Sequence, residues 1–241
     1  MKKTNTNKIE MLKIKALLYG ASGKGKTFSA RTLPEGKTLI ISAESGLLAL
    51  SGKNYDVAEI EKWDDLKEVF KLLETPESQK RFDFVFIDSL TEINEMCKQH
   101  IVEKERPDKR GNIGKVYDDI LDMQDWGLLH AKMSKAIRGF RDLPYNIIFT
   151  CLEDSDKDER TGAVAVLPSL NGKLKSNINQ YFDEVFRAVS IDTGDETGYY
   201  FLTRTTEKSL AKDRSGQLEK KESPDWTAII NKIKKGLGGK K

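Results

Sequence analysis

The sequence predicts an α/β fold with a mainly parallel central sheet, helices on both faces and an antiparallel hairpin extension near the C-terminus. Three observations lead there. Short β-branched or aromatic runs, "KTLIISAE" (37–44), "FDFVFID" (82–88) and "YNIIFTC" (145–151), alternate with helically periodic segments, the pattern of βαβ units. A glycine-rich turn, "GASGKGKT" (20–27), lies between an apolar run and a segment expected to be helical. Late in the chain, "EVFRAVSID" and "GYYFLTRT" flank the turn "TGDETG", as a hairpin does.

In chain order, "LKIKALLY" (12–19) reads as the strand feeding the glycine-rich turn, with a helix following from about Lys26. "WDDLKEVFKLLE" puts Leu66, Val69, Phe70 and Leu73 at helical spacing, with Asp64 as the expected N-cap. "TEINEMCKQHIVEKE" reads as a second helix and "ERPDKRGNIGK" (105–115) as an exposed loop. From 116 to 141 the apolar positions are helical, with an expected break near Gly127. A polar loop (153–162), the run "AVAVLPSL" and a short helix at 173–181 come before the hairpin. "SPDWTAIINKIKKGLGGKK" is expected to close the chain as an amphipathic helix, Trp226, Ile229, Ile230 and Ile233 forming its apolar stripe. The division expected is a flexible basic N-terminus at 1–11, one α/β domain at 12–218 and a C-terminal helix with a basic tail at 219–241.

The 241 residues suffice for one sizeable domain, and 33% charged residues suit a soluble chain. No apolar run reaches membrane-spanning length and the N-terminus has no signal-peptide pattern, so a cytoplasmic protein with no membrane partner is expected. Cys97 and Cys151 form no spaced motif and read as reduced interior thiols, and two histidines make a histidine zinc site improbable. The net charge of +3 conceals +4 in residues 1–15, +4 in residues 219–241 and about −5 between them. The basic ends suit either a polyanion or solvation.

The glycine-rich turn matches G-x-x-x-x-G-K-[ST] as Gly20, Ala21, Ser22, Gly23, Lys24, Gly25, Lys26 and Thr27. Glycines let backbone N–H groups turn inward onto phosphate oxygens, with Phe28 next in the chain. Lys26 is placed to reach the β- and γ-phosphates of a nucleoside triphosphate, and Thr27 to bind Mg²⁺. Such a loop also needs an acid at the end of a nearby strand. Asp88 ends "FDFVFID" and fills that role, whereas Asp83 starts the strand and points away. Hydrolysis needs a carboxylate to orient water. Glu44, after "IISA", is the first candidate and Glu92 its competitor.

"IISAES", "VFIDS" and "IIFTC", in that order after the phosphate loop, resemble the RecA-like ATPase core. Within it the chain resembles small phage-encoded ATPases related to RecA and RadA, some of them single-strand annealing proteins of the Sak type. "QDWGLL", "LPSLNGKLKSNINQYFDEVF" and "AKDRSGQL" (211–218) extend the resemblance over roughly residues 12–218. It implies ATP with Mg²⁺, bound between subunits of a ring or filament, in a bacterial host's cytoplasm. It also implies trans-acting fingers, Lys212 and Arg214, that complete a neighbour's site. Single-stranded DNA is the implied partner, through a loop holding Lys104, Arg106, Lys109, Arg110 and Lys115. The second loop, "EDSDKDERTG", is acidic and lacks an aromatic for stacking, so Lys173 and Lys175 just beyond it are the alternative contacts. Two other readings stay open: an ATP-switched loader or adaptor for a single-strand-binding or replication protein, and a small-molecule kinase, against which stands the lack of an arginine-rich lid.

Overall fold

A computed structural model describes residues 13–44, 46–105, 121, 123–157, 164–192, 194 and 196–238, with 104 and 105 as backbone only. The strands are β1 (Lys15–Gly20), β2 (Thr38–Ser42), β3 (Asp56–Glu59), β4 (Phe84–Asp88), β5 (Asn146–Lys157), β6 (Val164–Pro168), β7 (Glu184–Asp192), β8 (Thr197–Leu202), β9 (Lys212–Asp213) and β10 (Lys221–Glu222). The α-helices are α1 (Trp63–Glu74), α2 (Pro76–Arg81), α3 (Leu90–His100), α4 (Met123–Asp142), α5 (Lys173–Asn177) and α6 (Trp226–Gly238). The sheet order is β10-β8-β7-β1-β5-β4-β2-β3, with β6 on β5 and β9 on β7. The six strands from β7 to β3 are mutually parallel, and β6, β8, β9 and β10 pair antiparallel. This is the mixed α/β architecture expected, with the antiparallel extension in place.

Strand alternation divides the interior between the two sheet faces. Leu17 and Tyr19 of β1 join α1, α3 and α4 in one buried cluster. Ala16 and Leu18 join α6 and the turns after β1 and β2 in the other. Both cysteines are buried and not joined in a disulfide. No helix among the described residues is long and apolar enough to cross a membrane.

Several local expectations are corrected. The segment after the phosphate loop is a five-residue 3₁₀ turn, Phe28–Thr32, instead of an α-helix. Leu33 is extended because Pro34 follows it, and Ser29 and Thr32 turn their hydroxyls back onto the carbonyls of Lys26 and Ser29. Asp64 lies inside α1, and the capping carboxylate is Asp65, which accepts from the N–H groups of Glu61 and Lys62. Helix α4 runs through Gly127 unbroken. The expected loop from 153 is strand as far as Lys157, because β6 pairs back onto it from Glu153↔Pro168 to Lys157↔Val164. Residues 158–162 of that loop, and most of the loop 105–115, lie outside the described residues.

Strand β7 begins with Glu184, only 2% exposed, whose Oε2 has no hydrogen-bond partner. Burial, reinforced by the Asp213 carboxylate, pushes its pKa up to about 8. The folded state therefore holds a proton there that the unfolded chain releases near its ordinary value of 4.5. Stability falls as pH rises from about 4.5 to about 8, by up to about 4 kcal/mol. Urea midpoints measured from pH 5 to pH 9 should show this decline, and E184Q should flatten it. Lys15, held down to about 8 by burial, changes stability in the opposite direction and only above that pH.

Candidate nucleotide-binding site

Because β1, β4 and β2 are parallel and in register, their carboxyl ends converge. Ser42 pairs with Asp88, and Gly20 ends β1 against Leu152 of β5. The phosphate loop therefore leaves the sheet edge beside the segments carrying Asp88 and Glu44. Gly20 is needed for packing: a Cβ on it would sit 2.7 Å from the carbonyl oxygen of Ala188 on β7. Gly23 and Gly25 hold φ of +74° and +78°, a region that side-chain-bearing residues rarely adopt.

The buried Lys26 ammonium donates to the carbonyls of Gly20 and Ala21, both at 2.9 Å, and so folds back over its own loop. Burial lowers its pKa, and Asp88 and Glu44 oppose that shift. The Thr27 hydroxyl donates to Asp88 Oδ2 at 2.7 Å, and Thr150 of β5 donates to the other carboxylate oxygen. Glu44 stands just past β2, its carboxylate accepting from the Ser89 hydroxyl. The backbone N–H groups of Ala43 and Glu44 reach the Asp88 carbonyl at 2.6 and 3.3 Å. Glu92, in the first turn of α3, has its pKa raised by burial and then by Glu44 and Glu95, which places it against the same cluster. Asp83 faces the opposite edge, where Lys13 lies 3.5 Å away.

Mg²⁺ favours hard oxygen ligands and keeps much of its water. The Thr27 hydroxyl, 2.7 Å from Asp88 Oδ2, fits that demand, and these two side chains would hold the ion. When bound, the ion offsets phosphate charge. With a nucleotide bound, Lys26 would exchange its two carbonyls for phosphate oxygens, and the Glu44 carboxylate would be the group to hold a water.

The remaining expected residues are dispersed. Lys24 donates to Ser190 Oγ of β7 at 2.7 Å. Phe28 is 60% exposed, with the Arg31 guanidinium 5.2 Å from its ring centre. Lys212 and Arg214 lie beside the start of β7, where Lys212 pairs with Val185. The Lys212 ammonium donates to the carbonyls of Asn179 and Phe182, and Arg214 to Asp183 Oδ1 at 2.6 Å. Lys175 is held by Asp154 and Asp156 of the β5–β6 hairpin at 2.8 and 2.6 Å, while Lys173 is exposed. The side chains of Lys104, Arg106, Lys109, Arg110 and Lys115 lie outside the described residues.

Sequence reasoning missed three supporting groups. Ser89 and Thr150 carry the hydrogen bonds that orient Glu44 and Asp88, and only Ser89, next to Asp88, had a local signal. The exposed Tyr199 of β8 lies 3.6 Å from where a Cβ on Gly25 would stand. That proximity is set by the hairpin alone.

Fold and site together define a P-loop ATPase. The chain matches the family model described as an AAA domain over residues 12–215, and it belongs to that family. No curated protein matches the sequence. Among solved structures, a KaiC-like protein from the hyperthermophilic archaeon Pyrococcus horikoshii OT3 is similar at 12% identity with a TM-score of 0.44, covering 88% of this chain and 87% of that one.

Proposed function

We propose that this chain hydrolyses Mg-ATP slowly, assembles with ATP at the subunit boundary and acts on single-stranded DNA in phage recombination, as an annealing ATPase of the RecA-related Sak type. The observation that carries the hydrolytic half is the convergence of Lys26, Thr27, Asp88 and Glu44 on one sheet edge. The DNA half rests on the sequence resemblance and on the basic residues from Lys104 to Lys115. Lys173 is a further contact in this reading, and Lys175 becomes one only by leaving Asp154 and Asp156.

Lys212 and Arg214 suit a role in trans. Val185, the partner of Lys212, lies level with Leu17, three residues before Gly20 along β1 and so roughly 10 Å from the phosphate loop's own edge. A finger at that distance serves a neighbouring copy. Mixing decides it. K26A and R214A proteins, each inactive alone, should regain part of the ATP turnover when combined, because the mixed boundary unites an intact loop with an intact finger. Failure to recover, with R214A fully active alone, would reject the trans role. The Arg214–Asp183 pair is exposed, so its loss should leave stability nearly unchanged.

The DNA proposal is tested by ATP turnover with and without single-stranded DNA at two salt concentrations, alongside light scattering. Stimulation that weakens with salt is expected from phosphate contacts. A monomer whose turnover ignores DNA would leave the ATPase standing and remove the recombination role. An ATP-dependent protein complex without DNA affinity would favour the loader reading instead.

A further inference from the structure

Away from the phosphate loop, α1 and α4 leave a cavity of about 590 Å³ between them. Its floor is aromatic: Phe70 meets Phe140 edge to face, ring centres 5.3 Å apart. Gly139 lets the Phe70 ring lie close against α4, since a Cβ there would come within 3.2 Å of it. The two rims carry charge of one sign. Lys67 and Lys71 are one helical turn apart on α1, and Lys132 and Lys135 stand on α4 across the floor. Lys67 shares its charge with Asp64 at 2.8 Å, Lys132 is engaged as well, and Glu74 is the single acid among the described lining residues, which leaves Lys71 and Lys135 as the cations facing each other across the floor.

We propose that this groove docks an acidic amphipathic helical segment of a partner protein. Such a helix lays its apolar stripe on Phe70, Ala136 and Phe140 and presents carboxylates to Lys71 on one rim and Lys135 on the other. Charge decides the occupant. The chain's own ends each carry +4, so neither of them, nor the same ends on a second copy, suits a lysine-rimmed groove. Single-stranded nucleic acid would meet the charge but needs open ring faces for stacking. Phe140 is buried and Phe70 only half exposed, with its ring turned edge to face. An acidic helix uses both the apolar floor and the charged rims.

The test uses the full chain and a fluorescein-labelled acidic helical peptide of about 18 residues, bearing Leu and Phe at i, i+3, i+4 and i+7 between glutamates. Fluorescence anisotropy should give binding roughly tenfold or more tighter than for a scrambled peptide of the same composition. The K71E/K135E variant should lose roughly tenfold or more in affinity, and so should G139L, which fills the groove. K71E/K135E should keep wild-type ATP turnover, so that lost docking is not read as lost folding. Equal binding of the scrambled peptide, or unchanged affinity in both variants, would overturn the proposal. So would an oligothymidylate that displaces the peptide and loses affinity through the same two lysines, which would make the groove a nucleic-acid surface.

Discussion

Replacing Lys26 by alanine should lower ATP turnover by at least about 10²–10³-fold, the scale seen when a preorganised charge at a reacting centre is removed. The ammonium is buried, its hydrogen-bond acceptors among the described residues are two carbonyls of its own loop, and burial already lowers its pKa. It is thus held at a cost that bound phosphate relieves. The same argument predicts that K26A without nucleotide is no less stable than the parent, which separates a chemical defect from unfolding. Phosphate release measures the first and urea denaturation the second. E44Q should behave differently, keeping nucleotide affinity while losing hydrolysis. If E44Q hydrolyses ATP normally and E92Q does not, the water-orienting role passes to Glu92, whose backbone N–H reaches the Ser89 hydroxyl that also serves Glu44.

Trp226→Ala should cost about 3–5 kcal/mol of stability. The indole is 1% exposed, stacks on Phe186 and meets Phe201 at a tilt, with ring centres 5.8 and 5.3 Å away. Its Nε1 donates to Ser29 Oγ at 2.9 Å, and that hydroxyl donates to the Lys26 carbonyl at 2.6 Å. The α6 helix thereby braces the 3₁₀ turn that follows the phosphate loop. W226F separates the two contributions: it keeps most of the ring packing and should lose about 1 kcal/mol with the hydrogen bond. A urea midpoint of W226A equal to that of the parent would mean that α6 does not brace the core.

The phosphate loop, the strand ending in Asp88 and the β7–β8 hairpin were legible because each is encoded locally. A motif with obligatory glycines, a wholly apolar run and a turn between alternating runs need no tertiary information. Strand β3 was not legible: "DVAE" is short, at the sheet edge and half exposed, so its polar residues hide the pattern. The continuation of β5 through Asp154 and Asp156 was hidden for another reason. Those carboxylates look like loop residues until β6 pairs beside them and Lys175 offsets their charge. Tyr199 at the phosphate loop and Thr150 at Asp88 come from parts of the chain far from either motif in sequence, and only the folded sheet brings them there.

Strand β1 is flanked by β5 and β7, with Ala16 level with both Ile148 and Glu184. The loop that grips phosphate comes before both of its supporting walls in the chain, β5 starting at Asn146 and β7 at Glu184. A nascent chain emerging from the ribosome thus carries the motif long before it has a pocket, and nucleotide affinity appears only once residues near 190 are free to pair. Such late, long-range closure also places this chain among slow folders. ATP, which binds only the finished sheet, then acts as a ratchet that holds completed molecules in the native basin.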